Sequence, residues 1–297
     1  MTPEIREIIK SEQLPPAYGE LITLWWRPLA ARIAKWRKMA DRPLVVGING
    51  AQGSGKSTLC RFLEGALLPE LGLTAVTVPL DDLYLTRAER HDLSCTVHPL
   101  LAIRGVPGTH DAALGQSVLD DLLAGRPTQF PKFSKAIDDR LPPQEARHIH
   151  GAVDVILFEG WCVGVTPQSA SELLVPVNAL ETDHDPAGTW RQYVNDQLAG
   201  PYSDWFSRID HLVMLQAPSF EAILHNRIRQ ERKLRAVSPD APAAMDDRQV
   251  AVFISHYERL TKHIMANLQN LADVCFELDE NQQVIQIKDT SRRRGQI

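Results

Sequence analysis

Short apolar runs separated by stretches of helical periodicity set the pattern of this chain. PLVVGIN (residues 43–49), LTAVTVP (73–79), GAVDVILFEG (151–160) and DHLVMLQ (210–216) read as buried strands, β-branched and bounded by Gly, Pro or Asp. VCFELD (274–279) and VIQIKD (284–289) predict two more near the C-terminus. Residues 57–68, 111–124, 219–235 and 247–270 carry apolar positions at helical spacing. A mostly helical stretch containing TWRQYVNDQL and YSDWFSRI precedes the strand at 210. From Leu80 to Asp111 the chain is rich in Pro, Gly and His and reads as loop-like or irregular. LITLWWRPLAARIAKW (21–36) is amphipathic, and Arg27, Arg32 and Lys35 interrupt it well short of the ~20 apolar residues a bilayer needs. It predicts a helix docked on the main body, kinked or divided at Pro28, with a membrane-surface anchor as the alternative.

Buried strands alternating with helices imply an α/β fold, a doubly wound and mostly parallel sheet flanked by helices. No linker is long enough to separate two domains. The expectation is one domain over residues 1–297, with 1–40 as an N-terminal helical extension and 219–246 as a lid region.

Composition narrows the class without naming it. With 44% hydrophobic and 23% charged residues, the 297-residue chain can bury a sizeable core. A net charge of −5 argues against a general nucleic-acid binder. The 4 cysteines, Cys60, Cys95, Cys162 and Cys275, form no C-x-x-C pair, so neither a zinc site nor a disulfide framework is expected. MTPEIREIIKSEQ has acids and no apolar centre, which is unlike a secretory signal. A cytoplasmic protein with no membrane or nucleic-acid partner fits these features; the oligomeric state is open.

The chemistry starts at GINGAQGSGKST (47–58). Gly50, Ala51, Gln52, Gly53, Ser54, Gly55, Lys56 and Ser57 fit G-x-x-x-x-G-K-[ST], between a predicted strand and a predicted helix. Glycines let the backbone turn its N–H groups inward around a phosphate, and the helix N-terminus adds partial positive charge. Lys56 is placed to meet the β- and γ-phosphates, Ser57 to offer its hydroxyl to Mg²⁺, and Thr58 follows in the same turn. ILFEG ends its strand on Glu159, where a second group organising the metal belongs.

Three further clusters carry charge. LDDLYLT (80–86) brings Asp81 and Asp82 to a strand end, where a carboxylate can accept the proton of an attacking hydroxyl. Alternation along an extended segment puts the two on different sides, and the spacing alone does not choose between them. RGVPGTHD (104–111) holds Arg104, His110 and Asp111, and KFSKAIDDR (132–140) holds Lys132, Lys135 and Arg140, a set suited to an anionic ligand. HNRIRQERKLR (225–235) is a basic helix with Arg227 and Arg232, read either as a solvated face or as a lid over a triphosphate.

In this order LDDLY, RGVPGTHD, PKFSK and ILFEGW resemble the D-glycerate 3-kinase family of phosphate-loop kinases, which is related to phosphoribulokinase, uridine kinase and bacterial-type pantothenate kinase. The similarity runs from about residue 43 to 288 and includes VNDQL, YSDWFSRID and LDENQQV, the last near the expected adenine site. The resemblance implies a P-loop NTPase fold and transfer from ATP, with Mg²⁺, to a primary hydroxyl of a small carboxylate-bearing substrate. It places the base on Asp81 and substrate contacts at Asp82, Tyr84, Arg104, His110, Asp111 and Lys135. Arg227 and Arg232 resemble its lid arginines. Two departures stand out: Leu83 where an aromatic is usual, and SPDAPAAMDD in place of a Gly-rich approach to the last long helix. A kinase for a nucleoside or a pantothenate-like alcohol is the alternative within the class. A regulatory nucleotide hydrolase is the alternative outside it, although neither N-K-x-D nor L-S-G-G-Q occurs.

Overall fold

A computed structural model describes residues 1–237 and 245–290. The Pro/Ala-rich break over 238–244, which contains most of the departing SPDAPAAMDD segment, lies outside the described residues. The apolar runs become the strands β1 (Leu44–Gly50), β2 (Ala75–Pro79), β3 (Val155–Gly160), β4 (His211–Gln216), β5 (Val274–Leu278) and β6 (Val284–Asp289). They form one sheet in the order β6-β5-β4-β1-β3-β2. The pairs β2–β3, β3–β1, β1–β4 and β4–β5 are parallel, and β6 returns antiparallel on β5. This is the mostly parallel, doubly wound α/β sheet the pattern predicts.

Every residue of β1 and β3 is buried, because side chains alternate into two separate cores. Val45, Ile156, Phe158, Leu212 and Met214 enter one. Val46, Ile48, Leu157, Val213, Leu215 and Phe276 enter the other. Helices α1 (Pro3–Ser11), α2 (Arg27–Met39) and α3 (Lys56–Phe62) cover the second face, contributing Ile5, Leu29, Ile33 and Leu59. The predicted docked helix is therefore seated with its apolar stripe on the sheet. The helix is not divided at Pro28: a π-helical turn at Ile22–Trp26 runs directly into α2, and that wider turn lies where the proline lacks an N–H to donate. Trp26 meets Phe276 edge-on at 5.1 Å.

The first face is covered by α5 (Ala112–Leu123), α6 (Thr189–Ala199) and α8 (Asp247–Asn267); α4 (Arg87–Thr96) and α7 (Phe220–Val237) precede α5 and α8 along the chain. Helix α4 corrects the expectation of an irregular 80–111 segment. It begins with a capping box between Thr86 and Glu89, and its only fully buried residue is Arg90. Arg90 donates to the carbonyls of Leu85 and Asp138 and to the Asp138 carboxylate at 2.6 Å. A helix held by one buried guanidinium carries no apolar periodicity, so the hydrophobic pattern missed it.

The edge strand β2 is capped by side chains. Glu64 accepts the Thr77 N–H at 3.0 Å, and Arg147 donates to the Thr77 carbonyl at 2.9 Å, which removes a pairing edge. Among the described residues no helix is long and apolar enough to cross a membrane.

The N-terminal docking predicts a measurable cost. Trp26→Ala should lower unfolding stability by about 3–5 kcal/mol in urea titration. A loss below about 1 kcal/mol would show that the N-terminal helices are not part of the cooperative core.

Candidate active site

Strand β1 ends in the centre of the sheet, and the chain turns there into the N-terminus of α3. Gly53 and Gly55 make the turn at φ 77° and 87°, which only glycine adopts without strain. At Gly53 a Cβ would also sit 2.9 Å from the Gln230 amide nitrogen of α7. At Gly50 it would meet Ser54 Oγ at 2.4 Å. Lys56 and Ser57 then open the helix, and both reach Glu159. Lys56 Nζ lies 3.3 Å from one carboxylate oxygen, and Ser57 Oγ donates to the other at 3.1 Å. Parallel register sets this meeting, because Glu159 is level with Ile48 on β1 and Pro79 on β2. Burial alone would lower the Lys56 pKa, but Glu159 and Asp81 outweigh it and raise it, so the lysine stays cationic.

At the end of β2 the chain forms a 3-10 turn over Leu80–Leu83 rather than continuing extended. That turn separates the two acids. Asp81 accepts from Lys135 Nζ at 2.6 Å and from Tyr84 Oη at 3.1 Å. Asp82 accepts the backbone N–H of Phe133 at 3.0 Å. Burial pushes the Asp81 carboxyl up, yet Lys135 and Lys56 more than reverse this and hold it well below the usual carboxylate range. Asp82 goes the other way, raised chiefly by burial.

The 104–111 loop is clamped by aromatic groups from three directions. Trp161 Nε1 donates to the Gly105 carbonyl at 2.9 Å, and Tyr257 Oη donates to that of Arg104 at 3.2 Å. Gly105 sits at φ 143°, and a Cβ there would lie 2.2 Å from Tyr257 Oη. The Gly108 N–H donates to Tyr202 Oη at 3.0 Å, and that oxygen is 2.6 Å from His110 Nδ1. The His110 ring stacks on Tyr84 at 4.3 Å, and burial pulls its pKa down to about 3, leaving it neutral. Asp111 faces elsewhere: it caps α5 through the Leu114 N–H and pairs with Arg140.

These elements enclose a cavity of about 240 Å³. Its floor is Gln52, Gly53, Lys56 and Ser57; Asp81, Tyr84, Arg104 and Lys135 form one wall. Arg227 and Gln230 of α7 close it over the phosphate loop, and Trp161, Phe253 and Tyr257 complete the lining. Four of the lining side chains are cationic and one is a carboxylate, the balance expected for anionic ligands. Arg232, by contrast, is largely exposed and tied to Asp247 of α8, away from the lining. Thr58 and His110 are also absent from it. The pattern missed Trp161, Gln230, Phe253 and Tyr257. The last two lie one turn apart on α8 and read only as a helical face.

Among the described residues no cluster of three or more His, Cys, Asp or Glu could hold a metal alone. Ser57 Oγ and the Glu159 carboxylate are adjacent hard oxygen donors, the set Mg²⁺ takes when phosphate oxygens complete its shell.

A glycine loop, lysine and serine at the carboxyl end of the central strand, facing a strand-end carboxylate in a 2-3-1-4-5 parallel sheet, define a P-loop kinase. No family model matches the chain. An uncharacterized kinase of Schizosaccharomyces pombe, mug58, is 32% identical over 263 residues, spanning 84% of this chain and 92% of that one. The chloroplastic D-glycerate 3-kinase of Arabidopsis thaliana is 29% identical over 225 residues, 72% of this chain and 46% of that protein. The solved D-glycerate 3-kinase of Cryptococcus neoformans var. grubii superimposes with a TM-score of 0.74 at 25% identity, covering 90% of this chain and 99% of that one. The chain belongs to the D-glycerate 3-kinase family of P-loop kinases.

The Lys135 contact makes a pH prediction. Asp81 is depressed, so it stays ionised as pH falls through the ordinary carboxylate range. Lys135→Met removes the charge and lifts the Asp81 pKa, so the acid limb of kcat/KM should move to higher pH by about 1 unit. The modest figure reflects an exposed lysine. An unmoved limb would mean that Asp81 does not set it.

Proposed function

We propose that this kinase transfers the γ-phosphoryl group of ATP to the 3-hydroxyl of D-glycerate, giving 3-phosphoglycerate and ADP. The observation that carries the reading is Asp81, an ionised carboxylate facing Lys56 of the phosphate loop on one side and Lys135 on the other. A hydroxyl beside Asp81 passes its proton to that carboxylate as its oxygen attacks the γ-phosphorus and the bond to the ADP oxygen breaks. Lys56 and Arg227 would meet the charge on the transferring group. Arg104 and Lys135 would take the acceptor's carboxylate, a cationic pair suited to a small acid.

Support also comes from the relatives, two of which carry the name D-glycerate 3-kinase. Ser57 and Glu159 would hold Mg²⁺, which supplies charge neutralisation at the phosphates when bound. Asp82 and His110 would shape the acceptor site from behind, through the Phe133 backbone and the Tyr84 ring. Arg232 would join the phosphates only after leaving Asp247. The whole chain is read as one kinase domain, with residues 1–40 packed on it.

An ADP-release assay across D-glycerate, other hydroxy acids, nucleosides and pantothenate tests this. D-Glycerate should stimulate ADP release most; no response to it with turnover on another alcohol would contradict the assignment. Nucleotide hydrolysis indifferent to every metabolite would point to a regulatory hydrolase. Lys56→Met should abolish turnover. Asp81→Asn should lower kcat by ~10²–10⁴-fold with ATP binding retained. A larger loss from Asp82→Asn would move the base to that residue.

A further inference from the structure

The arginines of α7 are not equivalent. Arg229 is tied to Asn226, and Arg232 and Arg235 to Asp247 across the gap to α8. Arg227 alone among these four lines the cavity with Lys56 and Ser57. Its guanidinium is paired through Nη2 with Glu231, one helical turn further on. Glu231 is only 3% exposed, and its second carboxylate oxygen is buried with no hydrogen-bond partner among the described residues. Arg227 Nε is likewise buried and unpartnered. The helix is also seated on the phosphate loop, since Gln230 occupies the space that a side chain at Gly53 would need.

A half-satisfied buried carboxylate costs stability and is a poor way to hold a helix together. Its one partner among the described residues is the guanidinium that lines the cavity with the phosphate loop. A free arginine samples many rotamers, whereas one gripped at Nη2 presents its remaining N–H groups in a fixed planar fork. A fixed charge needs no reorganisation when negative charge grows on a transferring group. We propose that Glu231 is a positioning residue, holding the Arg227 guanidinium where the terminal phosphate of a bound nucleoside triphosphate sits. The proposal rests on the kinase reading above, and it assigns to Glu231 a role exerted only through Arg227.

Calorimetric titration of the full chain with ATP and with ADP, both with Mg²⁺, tests it without needing an acceptor. Glu231→Gln keeps the shape and the Oε1 acceptor while removing the charge. It should reduce the preference for ATP over ADP about tenfold, the low end for one hydrogen bond to a charged group. ADP binding should change little. In an Arg227→Ala background the same substitution should add less than a twofold change, the signature of a role exerted through that arginine. Unchanged or tighter ATP binding by Glu231→Gln would overturn the proposal. So would an equal loss in both backgrounds, which would mark Glu231 as a residue of the fold only. If the unaltered protein bound neither nucleotide, the kinase reading itself would fall, and this role with it.

Discussion

A carboxylate buried at the end of a central strand must be paired, and Glu159 meets that demand with the phosphate loop itself. Lys56 and Ser57 both reach it, and they do so because parallel pairing brings the ends of β1 and β3 level. The crossover from β1 to β2 and the return through β3 leave a crevice at this point, the place where open α/β sheets gather ligands. The pair that keeps the carboxylate satisfied is also the pair a triphosphate and its metal would engage. Electrostatics at this edge therefore fixes the loop before any nucleotide arrives.

The acceptor side depends on a different device. Arg104 lies on a loop with no secondary structure of its own to hold it, and that loop is fixed by Trp161, Tyr202 and Tyr257 from three separate elements. Gly105 and Gly108 permit this approach, since both adopt positive φ and side chains there would collide with tyrosines. Lys135 and Lys56 keep Asp81 ionised in a cavity dominated by cations. Helix α7 supplies the roof, and its contact with Gly53 links roof and floor.

Much of this was legible in the sequence, for identifiable reasons. The central strands are apolar along most of their length because helices cover both faces, and the glycine loop has a spacing that few other structures require. Helix α4 was hidden because a buried arginine, rather than an apolar stripe, holds it. The different partners of Asp81 and Asp82 were hidden because they arise from a 3-10 turn, which breaks the alternation an extended strand would impose. Tyr257 and Phe253 were invisible as lining residues, since only the crossing of α8 over the 104–111 loop brings them to the cavity. Arg227 and Arg232 both resemble lid arginines, but they stand five positions apart and share no tight stripe; in the structure Arg227 lines the cavity while Arg232 is tied to Asp247 on α8.

The central claim is that phosphate held at Lys56 passes to a hydroxyl held at Asp81. Phosphorus NMR of a reaction containing ATP, Mg²⁺ and D-glycerate tests it most directly, because it reports where the phosphate goes. A single new phosphomonoester, 3-phosphoglycerate, should grow in step with ADP. Inorganic phosphate as the only product beside ADP, or an ester at the 2-hydroxyl, would contradict it.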